Sequence, residues 1–143
     1  MIQHIEDLSF ETEGEVTIRD LSEDLGRIAG GSGVATGQML VFTPSSTSAI
    51  TTLEYEPGLV KDLPAALERL FPKDIEYGHE EMWHDGNGHS HVRAAFLKPS
   101  LVVPVREGRP ALGTWQQVVF IDLDNKPRRR TVMVHVWGEP SGR

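Results

Sequence analysis

The last third of the chain constrains the fold most. Residues 101–105, 114–123 and 130–137 are β-rich apolar runs, separated by the turn sequences Glu107-Gly108-Arg109-Pro110 and Asp124-Asn125-Lys126-Pro127. Such short connections predict an antiparallel meander, because a parallel pair needs a long crossover. Upstream, residues 2–10 carry Ile5, Leu8 and Phe10 among polar side chains and read as a first strand. Val16 and Ile18 alternate with polar residues beyond the turn Thr12-Glu13-Gly14-Glu15, which predicts a hairpin with that strand. Residues 39–42 and 49–55 supply two more strands, around the polar turn Pro44-Ser45-Ser46-Thr47-Ser48.

Helical periodicity is confined to a few places. Leu21, Leu25 and Ile28 share one side of a short helix capped by Asp20 or Ser22 and stopped by Gly30-Gly31-Ser32-Gly33. That glycine run follows a helix and lacks the Lys-Ser/Thr of a nucleotide loop. Residues 58–70 form the strongest helix, opened by Pro57, locally spoiled at Pro64 and ended by Pro72. Residues 73–83 read as an irregular connection, and a further helix is expected from about Gly88, where Ala94 and Ala95 favour it. The prediction is an α+β class with mainly antiparallel strands and two or three packed helices, in a single domain over residues 1–143.

Composition narrows the function classes. The chain has no cysteine, which removes disulfides, thiolate metal sites and cysteine nucleophiles. A net charge of −7 makes a nucleic acid an unexpected partner. No basic leader precedes an apolar run, and no run approaches the ~20 residues of a membrane span, so a cytoplasmic protein without a membrane partner is expected.

The most chemically dense stretch is His84-Asp85-Gly86-Asn87-Gly88-His89-Ser90-His91, with three of the six histidines in it. It contains no large apolar side chain, and its two glycines free the backbone to turn. Its secondary structure decides its chemistry. On a strand, His89 and His91 share a face; on a helix they stand about 200° apart and do not share a ligand.

Several runs carry a resemblance to the YjbQ family, also called the secondary thiamine-phosphate synthase family. They are DGNGHSH at 85–91, PSLVVPV at 99–105, LGTWQQV at 112–118 and PRRR at 127–130, with Glu54 and His79 as further matching positions. The resemblance spans nearly the whole chain. It implies compact α+β subunits assembled as homotrimers and a weak thiamine-phosphate synthase activity. One position departs: Ser45, followed by Ser46 and Thr47, stands where many members have a histidine.

Two functions follow as expectations. The first is an enzyme acting on a phosphorylated small molecule. Its catalytic residues would be Asp85, His91 and Glu54. The phosphate would be held by Ser46, Thr47, Asn87, Arg93, Arg128 and Arg130, arginine being suited to bidentate phosphate contacts. A divalent metal would sit on His79, Asp85, His89 and His91, as Zn²⁺ on mixed nitrogen and oxygen ligands, or as Mg²⁺ with Asp85, Glu54, phosphate and water. No organic cofactor is expected. The second is a non-catalytic trimer that binds a metal or metabolite. Trp115 and Trp137 read as core or interface aromatics.

Overall fold

The computed structural model describes residues 1–140 and Gly142. In chain order the elements are β1 (Ile2–Thr12), β2 (Thr17–Asp20), α1 (Ser22–Gly31), β3 (Val34–Phe42), β4 (Ser48–Leu53) and α2 (Pro57–Leu70). They continue with α3 (Gly78–Trp83), α4 (Gly88–Leu97), β5 (Ser100–Arg106), β6 (Arg109–Pro110), β7 (Gln117–Asp122) and β8 (Arg128–Pro140). Every strand pairing is antiparallel, in a five-stranded sheet β1-β8-β3-β5-β6 and a three-stranded sheet β2-β7-β4. The α+β class and the dominance of antiparallel strands stand; the helices number four among the described residues, α3 falling where an irregular connection was expected.

Local chemistry sets the helix starts. The Asp20 carboxylate accepts from the Ser22 backbone N–H at 2.8 Å at the head of α1. At α2 the Glu56 carboxylate accepts from Gly58 and Leu59, with Pro57 at a position where its missing N–H costs nothing. Pro64 lies inside α2, which is assigned as one continuous helix.

Two sequence expectations about pairing fail for one reason. The meander is absent: β5 and β8 lie in the large sheet, both beside β3, while β7 belongs to the small one. The expected β1–β2 hairpin is also absent, since β1 pairs with β8 and β2 with β7. Strand β7 explains both. Val118 and Phe120 pack into a core shared with α1 and the large sheet, against Phe10, Leu25, Met39, Val41 and Val134. Val119 and Ile121 face the opposite way, into a second core with Ala49, Leu67, Ala94 and Leu123 beneath α2 and α4. A strand apolar on both faces needs cover on both, so it occupies the middle of three layers. The ring centroids of Phe10 and Phe120 lie 5.0 Å apart in an edge-to-face contact that joins the two sheets.

Among the described residues no layer covers the far face of the large sheet. Ile5, Val102 and Met133 project there and are exposed. Trp137 is half-buried on the same face, whereas Trp115 is exposed in the turn before β7 and belongs to no core. Among the described residues no helix is long and apolar enough to cross a membrane.

Candidate functional site

Three connections meet at one end of the sheets. They are the β3–β4 loop, the α3–α4 loop, and the β7–β8 turn with the start of β8. Leu123 N donates to Thr47 O at 2.9 Å, and the Asn125 side-chain amide donates to Asp85 O at 3.0 Å. Together they line a cleft of about 510 Å³ that includes Ser45, Ser46, Thr47, Asp85, Asn87, His91, Asp124, Arg128, Arg129 and Arg130.

The histidine-rich loop is shaped by its own sequence. His84 ends α3 in the left-handed region, at φ 55°, and Gly86 at φ 72° reverses the chain. The Glu80 carboxylate accepts from the backbone N–H of Gly86 at 2.6 Å and of Gly88 at 2.8 Å, and these two donors hold its pKa below the ordinary value. Gly88 has no alternative at its position, because a Cβ there would lie 2.5 Å from the Tyr77 Cβ. Asn87 O then accepts from Ser90 and His91 as α4 begins.

Because α4 starts at Gly88, His89 and His91 diverge. His91 lines the cleft, half-buried, with its ring centroid 4.3 Å from that of His79. Burial, followed by the neighbouring His79, lowers the His91 pKa below the ordinary 6.5, against the opposing pull of Asp85, Asp124 and Glu80. Its surroundings therefore favour the neutral imidazole over the charged one. His79 Nε2 lies 3.4 Å from Asp85 Oδ1 without a hydrogen-bond geometry and is buried without a partner.

Three expected site residues are elsewhere. His89 is buried on the opposite side of α4, with Nε2 3.0 Å from Glu15 Oε2, so it is not a ligand beside His91. Arg93 does not reach the cleft. It is buried, donates twice to Phe71 O and pairs with Glu68 at 2.7 Å and Glu15 at 3.5 Å. Glu54 lies just past the far end of β4, about 20 Å of extended chain from Ser48, and lines a different hollow with Tyr55 and Trp115.

The remaining expected residues differ in what they have free. Arg130 is largely committed: Nε and Nη2 grip Asp122 at 2.7 and 2.8 Å, Nη1 donates to Ser45 Oγ at 2.8 Å, and Nη2 also donates to Thr47 Oγ1 at 3.0 Å. Thr47 in turn donates to Asp124 Oδ2 at 3.1 Å, so its proton is taken. Arg128 is half-exposed and uses Nε on Asp124 at 2.9 Å, while its terminal amino groups make no hydrogen bond among the described residues. Ser46 is exposed at the rim.

Sequence reading missed the two carboxylates that organise this end. Asp122 and Asp124 are both buried, although by pattern alone they read as a strand end and a turn. The available signal was the pairing of Asp122 and Asp124 with Arg128 and Arg130, two pairs at i, i+2 spacing on either side of a short connection. Burial pushes the Asp124 carboxyl up, but the Asn87, Arg128 and Asn125 donors more than offset it and its pKa lies below 3.8. Ionised Asp124 only accepts, which fixes the Asn87 amide with Nδ2 toward it at 3.3 Å and leaves Asn87 Oδ1 buried without a partner.

A pH prediction follows. On acidification the unfolded chain protonates this aspartate first, so the stabilisation is full well above pH 3.8 and is lost as pH falls through the lower folded pKa. Thermal midpoints measured from pH 6 to pH 3 are expected to fall, and less steeply in Asp124→Asn. An equal slope in the two proteins removes Asp124 as the source.

The model of the family described as UPF0047 protein YjbQ-like matches residues 6–139. A UPF0047 protein of Methanothermobacter thermautotrophicus is 38% identical over 137 residues, covering 96% of this chain and 94% of that protein. The UPF0047 protein YugU of Bacillus subtilis is 29% identical, covering 92% and 97%. Among solved structures, a YbjQ-like protein of unknown function from Sulfolobus solfataricus superposes with a TM-score of 0.91 at 31% identity, covering 96% and 98%.

Proposed function

The chain belongs to the UPF0047 YjbQ-like family, and from that premise we propose that it is an enzyme acting on a phosphorylated small molecule bound in the cleft beside His91 and Arg128. The observation that carries the reading is the coexistence, in one hollow, of an arginine with free terminal amino groups and a neutral imidazole. In an acidic protein an anion needs such local positive charge. Arg128 binds phosphate oxygens, Ser46 closes the rim, and His91 accepts a proton from the reacting group. Asp85 lies 3.4 Å from His79, whose ring stands beside that of His91.

The narrower reading is transfer of the thiamine-phosphate synthase type. A thiazole nitrogen forms a bond to carbon, and the carbon–oxygen bond to pyrophosphate breaks with its electron pair leaving on the pyrophosphate. That step depends on stabilising the departing charge, which Arg128 supplies, more than on a strong base. A cytoplasmic place of action accompanies this reading and suits a cysteine-free chain.

The test is calorimetry with pyrophosphate, paired with turnover on a pyrimidine pyrophosphate and a thiazole phosphate. Arg128→Ala is expected to weaken pyrophosphate binding by at least about tenfold, with a smaller fall in thermal midpoint than Arg130→Ala because Asp124 keeps Thr47, Asn87 and Asn125 as donors. His91→Ala is expected to keep the anion and, because thiazole attack releases no proton, to change this turnover by much less than the roughly 10²–10⁴-fold of a lost general base; a loss of that size would instead mark a proton-transfer step such as hydrolysis. Parent-like binding by Arg128→Ala rejects this cleft as the phosphate site.

A second reading adds a divalent cation, Zn²⁺ or Mg²⁺, on His79, Asp85 and His91. The buried His79 Nε2 without a partner supports it. Among the described residues, however, no three His, Cys, Asp or Glu side chains are placed to hold one ion, and the chemistry above is written without it. Titrating Zn²⁺ and Mg²⁺ into the parent and His79→Ala tests this reading, which requires binding that His79→Ala loses.

Assembly as a homotrimer is also part of the proposal. The uncovered apolar face of the large sheet, with Ile5, Val102 and Met133 exposed, supports burial against other copies. Light scattering giving a monomer across micromolar concentrations rejects it.

A further inference from the structure

Ser45 is the cleft residue whose hydrogen bonding its neighbours determine most completely. Its Oγ accepts from Arg130 Nη1 at 2.8 Å and from the Thr47 backbone N–H at 3.1 Å. A guanidinium and a peptide N–H only donate, so these roles do not reverse. A hydroxyl has two lone pairs and one proton, and both lone pairs of Ser45 are filled. The proton has no good acceptor among the described residues. The nearest, Thr47 Oγ1, lies 3.5 Å away; it accepts from Arg130 Nη2 and gives its own proton to Asp124, which leaves it one lone pair and makes this long contact the proton's sole alternative among the described residues. A 3.5 Å contact is at the outer limit of a hydroxyl hydrogen bond.

Because both lone pairs are engaged and the proton has only a limiting contact, we infer that Ser45 is a specificity-determining residue whose hydroxyl donates to an oxyanion of the bound ligand and does not act as a nucleophile. The inference rests on reading the cleft as a phosphate site. Ser45 is half-buried and lines the same hollow as Arg128. The Arg130 guanidinium on its oxygen polarises the O–H, and a polarised O–H finds its best acceptor in a charged oxygen. Arg130 is held in turn by Asp122, so its charge reaches the ligand through the serine rather than by direct contact. The two donors on its lone pairs make the Ser45 oxygen a poor nucleophile, so the phosphorylated ligand stays non-covalently bound. The class of ligand is therefore one with an unesterified phosphate or diphosphate oxygen placed at Ser45.

The experiment titrates inorganic pyrophosphate into the parent, Ser45→Ala, Ser45→Thr and Ser45→Cys at one ionic strength, with thermal midpoints measured alongside. Ser45→Ala is expected to weaken binding roughly ten- to hundredfold, the range for a hydrogen bond to a charged group. Ser45→Thr keeps the hydroxyl and is expected to stay within about threefold of the parent. Ser45→Cys, similar in shape but a weak donor, is expected to follow Ser45→Ala. A purely structural serine would lower binding only with the thermal midpoint. Parent-like affinity in Ser45→Ala, or in Ser45→Cys should the alanine variant not fold, overturns the inference. So does a loss in Ser45→Thr as large as that in Ser45→Cys. Failure of the parent itself to bind pyrophosphate is a separate outcome, which removes the phosphate reading of the cleft and this assignment with it.

Discussion

Replacing Arg130 with alanine is expected to lower the unfolding free energy by about 3–5 kcal/mol, the usual cost of leaving one member of a buried ion pair alone. Its guanidinium grips both carboxylate oxygens of Asp122, a side chain with 0% relative exposure. Without it, Asp122 retains only the Thr12 hydroxyl and the Asp124 backbone N–H as donors. In the same step Thr47 loses its guanidinium donor and Ser45 keeps only the Thr47 backbone N–H of its two donors. For a chain of 143 residues the loss corresponds to a fall of about 10–15 °C in thermal midpoint. Denaturant unfolding checks the energy, and the double variant Arg130→Met with Asp122→Leu separates the causes. If the penalty is the stranded charge, the double variant recovers much of the stability, since an apolar pair of similar volume is often neutral in such a place. A loss below about 1 kcal/mol in Arg130→Ala would show that the pair contributes no more than an exposed ion pair does.

The second large effect is expected at Arg93, on the other side of α4. Arg93→Ala is expected to cost about 3–5 kcal/mol and to leave pyrophosphate binding unchanged. Arg93 is 1% exposed and donates to Phe71 O through both Nε and Nη2, which ties α4 to the end of α2. Its removal strands that carbonyl, takes one partner from Glu15 and Glu68, and opens a hole where a long side chain was packed. Glu68 is partly exposed and Glu15 keeps His89 and Lys73, so most of the cost is carried by the carbonyl and the lost packing rather than by the ion pairs. Chemical denaturation and calorimetry on the same preparation check both halves. A variant that weakens pyrophosphate and keeps its stability would return Arg93 to the cleft.

The two arginines show why charge type alone does not assign a role. Arg93, Arg128 and Arg130 read alike in the sequence, as three positive groups near a polar run. Arg128 alone of these three keeps its terminal amino groups free among the described residues. Helix phase removed Arg93, because it lies on the buried side of α4, together with His89 and Ser90. The Asp122 carboxylate absorbed Arg130, and it comes from β7, eight residues away in the chain yet in a different sheet.

Local patterning determined a good deal by itself. The period-2 runs placed the strands, Glu56 and Pro57 opened α2, and the small polar residues at 85–90 located both the loop and the start of α4. The divergence of His89 from His91 followed from that start, being a property of one helix turn. The family was legible too, in runs that keep their residue types. Partnership between elements was decided only in three dimensions. An alternating run specifies which side chains share a face, not which strand lies beside it. Strand β7, apolar on both faces, left the expected meander because two separate cores had to be covered. The cleft has the same origin: its donors and acceptors are assigned by what remains unpaired after Asp122, Asp124, Arg130 and Thr47 have satisfied one another, and that remainder exists only once loops far apart in the chain have met.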